Sequence, residues 1–444
     1  MQTDEGTIYR AAAGTVALRA ERLAACSDNP GSITRIFLSP AMADAHRLLT
    51  GWMEEAGLSV RRDHVGNLIG RWTPPEADDS RARLVIGSHI DTVIDAGRWD
   101  GVLGVLVGLE TVTLLQREAV AADAGAFAML PIIEIVAFSE EEGVRYRLPF
   151  IGSRAVTGSL DPTLLSLTDE SGVSLSEAIR LFGGDPTRLG ECSWESNRPT
   201  AYVEAHIEQG PVLESLDLPV GVVTAIAGQR RAEVRFRGRA GHAGTVPMME
   251  RRDALVAAAT WVTAVDRLAR VHPGLVATVG TMMVHPGASN VIPGDVTCTL
   301  DCRHGENSVR DAAMKMLRTE AVQAAAAHRC ELEWRDTHEA AAVPMNGALT
   351  TLLQDSAGAA APRLVSGAGH DAMIMAGFCP SAMLFVRSPG GISHHPDEDV
   401  VLDDVAEVVR VLVRLTRTFA PVVASKVSTL NQSQGGNDDR PGDR

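Results

Sequence analysis

Thiols are scarce in this sequence. Its 444 residues hold 6 cysteines, at positions 26, 192, 298, 302, 330 and 379, and none forms a CxxC pair. That is too sparse for a disulfide-stapled scaffold or a thiolate zinc centre. Long apolar runs are missing too. No uninterrupted stretch reaches the roughly 18 to 20 residues that a membrane span needs. The most apolar region, Ala119 to Phe138, is broken by Asp123, Pro131 and Glu134. The leading MQTDEGTIYR is acidic and lacks the basic-then-apolar layout of a secretory signal. Positive charge is in deficit, with 41 Lys and Arg against 56 Asp and Glu, a formal charge of −15. Such a surface repels phosphate backbones and anionic lipid heads, which argues against nucleic-acid and membrane partners. No internal repeat is visible. The expectation is a soluble cytoplasmic protein.

What is present reads as α/β. Arg83 to Ser88 and Ile132 to Ser139 are short apolar runs of the kind that buried parallel strands show. Between them, Gly101 to Glu118 carries apolar residues at helical spacing. The β-α-β order predicts a central sheet flanked by helices, with functional groups at the carboxyl ends of strands. From 217 to 334 the pattern changes. Val234 and Phe236 alternate with Arg235 and Arg237, and Val296, Cys298, Leu300 and Cys302 alternate with polar residues, as in half-exposed antiparallel strands. Helical stretches over Asp253 to Val271 and Ser308 to Cys330 interleave with them. Residues 217–334 are therefore expected to form an α+β domain inserted between 1–216 and 335–424. Residues 425–444, polar and Gly-rich, are expected to be disordered.

Several histidines and carboxylates stand where such a sheet would gather them. His89 falls at the end of an apolar run, with Asp91 two residues on. That pair suits a metal ligand and the carboxylate that orients it, and it equally suits ordinary turn chemistry. Asp100, just before the apolar helix, reads as an N-cap or as a carboxylate bridging two cations. Ser139 is followed by Glu140, Glu141 and Glu142, either a solvated acidic turn or a site in which one carboxylate binds metal and its neighbour accepts a proton. His206 and His394 lie in Gly-containing segments. Together, three His and two carboxylates are the nitrogen and oxygen donors expected for a pair of divalent metals such as zinc or manganese, with cobalt or nickel as further candidates.

The blocks GSHIDTVIDAGRWDGVLGVLVGLE, FSEEEGVRYRLPFIGSR, AHIEQGPVLES, AIAGQRRAEVRFRGRAGHAGTVPM, SNVIPG, LDCRH, SGAGHDAM and LFVRSPGGISHHPDE resemble the amidohydrolases of the M20 metallopeptidase-like family. The likeness runs in order from about residue 30 to 420. It is strongest to the branch of allantoate amidohydrolases, N-carbamoyl-L-amino acid hydrolases and β-ureidopropionase-type enzymes. The resemblance implies a catalytic domain in two parts with an inserted lid and dimerisation domain. It further implies that Asp100 bridges two cations, that His89 and His206 complete one site, and that Glu142 and His394 complete the other. Glu141 matches the general base and Asp91 the partner of His89. His242 matches the histidine that polarises the scissile carbonyl across a dimer interface. Gln229, Asn290 and Arg303, with Arg231 beside them, match residues that hold the substrate, Arg303 by pairing with its carboxylate. His370 is expected to play a structural part near the site.

The reaction so implied is hydrolysis of a ureido carbon–nitrogen bond in a small substrate that carries a carboxylate. The wording FVRSPGGISHHPDE, with SGAGHDAM and AVPMN, looks most like allantoate amidohydrolases, which convert allantoate to ureidoglycine, ammonia and carbon dioxide in purine breakdown. An N-carbamoyl-L-amino acid hydrolase or β-ureidopropionase-type enzyme is the alternative. A peptidase of the same fold, or a non-hydrolytic metal-dependent binding protein, stands further off.

Overall fold

The computed structural model describes residues 5–75, 77, 78, 80–121 and 130–419. The tail expected at 425–444 lies outside the described residues. The chain divides into two compact units. One comprises the described residues of 1–224, 345–364 and 369–444, and the other 225–344 and 365–368.

In the first unit the sheet runs, from one edge, through Ser59–Arg62, Leu68–Trp72, Ile132–Phe138, Arg83–His89, Ala201–Ile207, Ser381–Val386 and Val220–Ile226. The four strands from Ile132–Phe138 to Ser381–Val386 are parallel to one another. Their neighbours on either side run antiparallel, so the sheet is mixed. Each of the four parallel strands is buried at every position, as a sheet covered on both faces requires. The helix Val102–Ala121 makes the crossover between Arg83–His89 and Ile132–Phe138, close to its expected span. It packs with helices Glu5–Ala24 and Leu402–Thr418. The last of these buries Val405, Val408, Val409, Leu412 and Leu415, a helical stripe facing the core.

The second unit is a four-stranded antiparallel sheet in the order Glu331–Ala340, Gly228–Arg237, Asp295–His304, Val276–His285. The expected alternation holds. Val234, Phe236, Val296, Cys298, Leu300 and Cys302 are buried and pack against helices Ala254–Val271 and Asn307–Ala327. Asp253 caps the first of these helices, accepting N–H bonds from Leu255 and Val256. Trp261 is fully enclosed between the layers. Its ring lies 6.0 Å from that of Phe236, and its indole N–H donates to the Leu317 carbonyl at 3.0 Å. Trp261→Ala is expected to destabilise this unit by about 3 to 5 kcal/mol through the cavity it leaves. Urea titration would show the shift, and an unchanged midpoint would contradict this packing.

The expected borders of the insertion, 217 and 334, both move. Val220–Ile226 pairs with Ser381–Val386, which ties the chain up to 224 to the first unit. Glu331–Ala340 pairs along Gly228–Arg237, which carries the second unit on to 344. A strand's period shows that it is a strand but not which sheet it joins.

Candidate active site

The parallel strands of the first unit bring their carboxyl ends to one edge of the sheet. His89 closes Arg83–His89, and His206 stands one residue from the end of Ala201–Ile207. Glu140, Glu141 and Glu142 follow Phe138, and the segment holding His394 follows Val386. Ligand atoms of His89, Asp100 and His206 lie within 4.8 Å of one another. The same holds for Asp100, Glu142 and His394, and for His89, Glu141 and Glu142. Asp100 Oδ1 is 3.2 Å from His206 Nε2 and 3.8 Å from His89 Nε2, while Oδ2 is 3.1 Å from His394 Nε2. Glu142 Oε1 lies 3.6 Å from the same His394 nitrogen. All five residues expected as metal ligands therefore converge, with Asp100 between two groups.

The donors fit divalent cations. His89 Nδ1 and His206 Nδ1 sit 3.0 and 2.9 Å from the carbonyl oxygens of Asp91 and Ile207. A neutral ring that donates there turns the Nε2 lone pair towards Asp100. His206 Nε2 and Glu142 Oε1 are buried without a hydrogen-bond partner among the described residues. Lone pairs facing a carboxylate in a dry interior repel one another and cost free energy; cations among them make the contacts attractive. The charges agree. Burial alone would raise the Asp100 carboxyl, yet the His206 and His394 rings beside it hold it well below the ordinary range. Burial would lower His89, but Asp91 beside it raises it well above its usual value. His394 rises to about 9, chiefly through its bond with Asp100. The carboxylates of this cluster thus favour positive charge among the rings.

Asp91 does more than orient His89. Its two carboxylate oxygens accept the backbone N–H groups of Glu141 and Glu142 at 3.0 and 3.1 Å, so it also fixes the acidic turn. That turn is no solvated loop. Glu140 and Glu141 are buried, and burial pushes both carboxyls well above the usual range. Gly101 is required at the foot of the helix. Its φ is +66°, and a Cβ there would stand 2.5 Å from the His89 ring. His370 packs edge-on to the His206 ring at 4.4 Å, the supporting position expected of it.

Other residues of the site went unassigned in the sequence, although all but Glu204 lie inside the blocks quoted. Gln209 donates to both Asp100 oxygens at 3.3 Å and to Ser393 at 3.1 Å. Glu398 accepts the backbone N–H groups of Trp99 and Asp100 at 2.9 and 3.0 Å and the Ser393 hydroxyl at 3.1 Å. Gly97 leaves room for it, since a Cβ there would lie 2.3 Å from Glu398 Oε1. Glu204, beneath His206 on its strand, accepts from the Ser88 hydroxyl at 2.6 Å and the Ala372 N–H at 2.8 Å.

The remaining candidates belong to the second unit. His242 lies in the short strand Gly241–His242, paired with Val291–Ile292. Its Nδ1 accepts the Gly244 N–H at 3.0 Å, which leaves Nε2–H as the donor of the neutral ring. Asn290 adjoins it, its carbonyl accepting the Ala243 N–H. Gln229, Arg231 and Arg303 meet on a carboxylate that the sequence reading passed over. Asp301 accepts from Gln229 Nε2 at 2.5 Å, from Arg231 Nε at 2.9 Å and from Arg303 Nε at 2.8 Å. Arg303 Nη1 is taken by the Gly367 carbonyl at 2.6 Å. Its fork, expected to face a substrate carboxylate, is engaged by Asp301 instead.

Comparison with known proteins agrees with this chemistry. Residues 85–418 match the family described as Peptidase family M20/M25/M40. A probable allantoate deiminase of Oryza sativa subsp. japonica is 39% identical over 428 residues, covering 87% of this chain and 84% of its own. An N-carbamoyl-L-amino acid amidohydrolase of Geobacillus stearothermophilus is 39% identical over 391 residues, covering 86% and 92%. The crystal structure of an amidase of the hydantoinase/carbamoylase family from Burkholderia multivorans superposes with a TM-score of 0.82 at 32% identity, covering 92% of this chain and 98% of that one. The chain belongs to peptidase family M20/M25/M40 and stands with its amidohydrolases, hydrolases of carbon–nitrogen bonds outside peptide linkages.

Proposed function

We propose that the protein hydrolyses a ureido carbon–nitrogen bond in a small carboxylate-bearing substrate, with allantoate as that substrate. The observation that carries the reading is the convergence of His89, Asp100, Glu142, His206 and His394 beside the buried carboxylate of Glu141. These five ligands would hold two divalent cations, manganese or zinc, with Asp100 shared. Bound there, the cations supply a Lewis acid and make water more acidic. Glu141 takes the proton of the attacking water and returns it to the leaving nitrogen. His242, through Nε2–H, donates to the oxyanion that develops on the carbonyl. Arg303, Gln229 and Asn290, with Arg231, hold the substrate carboxylate. The second unit acts as the lid and as the contact between two copies of the chain, so that His242 serves the partner's site. Mixing His242→Ala chains with Glu141→Gln chains should then restore part of the activity that each parent lacks. No recovery in a verified mixed dimer would refute the shared site.

The second reading is hydrolysis of N-carbamoyl-L-amino acids. It is favoured by the equal 39% identity to the Geobacillus amidohydrolase and the Oryza deiminase. Ammonia release by the metal-loaded enzyme, compared as kcat/KM across allantoate and a panel of N-carbamoyl-L-amino acids, decides between them. A large preference for allantoate is the expected result. A preference for a carbamoyl amino acid would move the substrate and leave the site chemistry standing. Silence on the whole panel would overturn the ureido assignment.

A further inference from the structure

A cavity of about 390 Å³ in the first unit is lined by none of the residues assigned above. Its floor is one face of the antiparallel side of the sheet. Ser59 pairs with Arg71 and Arg71 with Glu134, while Arg61 pairs with Ile69 one step along the same face. Arg83, from the next strand, completes the floor, and the segment around Trp194 closes over it, with the Arg83 guanidinium 5.5 Å from the Trp194 ring centre. Arg83 opens the strand that His89 closes. Six residues of strand at about 3.3 Å each put the two about 20 Å apart, at opposite ends of the sheet.

Two features of the cavity point to a ligand. The first is charge. Glu134 Oε1 is shared by Arg83 at 3.4 Å and Arg71 at 3.6 Å. The other acid on the wall, Glu191, is held two-pronged by Arg188 at 2.7 and 2.6 Å. Arg61 makes no side-chain hydrogen bond or ion pair among the described residues. Three guanidiniums therefore gather around one buried carboxylate in a protein whose net charge is −15. The second feature is unmet polarity. Arg83, Glu134 and Trp194 are each more than nine-tenths buried. Yet Arg83 Nε, Glu134 Oε2 and Trp194 Nε1 have no hydrogen-bond partner among the described residues. Each such group costs about 1 to 3 kcal/mol unless something satisfies it. An exposed arginine on an edge strand also serves to discourage pairing with another chain. That explains Arg61 alone and leaves the three buried atoms unexplained.

The unmet set is two N–H donors and one acceptor, next to a spare guanidinium. From this we propose that the cavity binds a small organic acid that carries a hydroxyl or amino group beside its carboxylate. The carboxylate takes the Arg61 guanidinium and the free N–H groups of Arg83 and Trp194, and the ligand's own donor takes Glu134 Oε2. A volume of about 390 Å³ lies at the small end of ligand sites.

Calorimetric titration of the metal-loaded enzyme at fixed ionic strength tests this, with glycolate and acetate as probes and Arg61→Ala as the variant. Saturable glycolate binding is expected, tighter than that of acetate, and weakened about tenfold in Arg61→Ala by the loss of a charged hydrogen bond. Turnover of the ureido substrate without glycolate should be the same in both proteins. Glycolate binding that is absent, no tighter than that of acetate, or equal in Arg61→Ala would overturn the proposal. Any binding that survives Arg61→Ala at full strength belongs to the candidate active site instead.

Discussion

Glu141→Gln lowers kcat by about 10² to 10⁴-fold, roughly 3 to 5 kcal/mol of transition-state stabilisation, while metal content and fold stay as they were. The substitution keeps the shape of the side chain and removes only its ability to take a proton. Glu141 sits within ligand distance of His89 and Glu142, and its backbone N–H is held by Asp91, so an amide inherits the same position. The carboxyl is buried, and burial raises its affinity for a proton, which is the direction a general base needs. Its assigned neighbours keep their donors, so elemental analysis should find the wild-type metal complement. Turnover retained within a few fold would show that another group moves the proton. Glu140 is the next to test, because it is as deeply buried and both of its oxygens are unmet among the described residues.

The sequence showed which side chains would converge but not what fixes them. His89, Glu142, His206 and His394 were legible because each follows or ends an apolar run, and Asp100 because it stands just before one; parallel strands deliver such ends to one edge. Glu398 was not legible as an anchor. Its partners Trp99 and Asp100 lie some three hundred positions away, and nothing in the spacing of HHPDE says that its last carboxylate turns back to the start of the helix at Val102. Gln209 was hidden for the same reason, since its partners lie on the Asp100 and Ser393 segments. The alternation in the second unit was readable because one face packs and the other does not. Asp301 was passed over inside that alternation. Its role comes from lateral neighbours on adjacent strands, and pairing register is invisible to a period of two. The cavity over Arg83 is a further case, joining residues 59–71, 83, 134 and 191–197. Ends of elements can be read locally, whereas contacts between elements require the fold.

Asp100→Asn should empty both metal positions, and His394→Ala only one. The contrast follows from the distances. Asp100 faces His206 and His89 through Oδ1 and His394 through Oδ2, whereas His394 touches only the Asp100 and Glu142 group. Replacing the carboxylate by an amide removes the anionic ligand common to both groups and puts an N–H₂ donor against at least one imidazole nitrogen. The amide cannot stabilise positive charge on His206 and His394 as the carboxylate does, so cations lose the field that favours them. Turnover in Asp100→Asn should fall to background at any practical metal concentration. In His394→Ala the pair His89 and His206 with Asp100 survives, and about half of the wild-type metal should remain bound tightly. The measurement is metal content per chain after dialysis, followed by back-titration. A wild-type complement in Asp100→Asn would refute the bridge, and equal losses in the two variants would mean that the positions fill as one cooperative site, with Gln209, Ser393 and Glu398 as the frame that couples them.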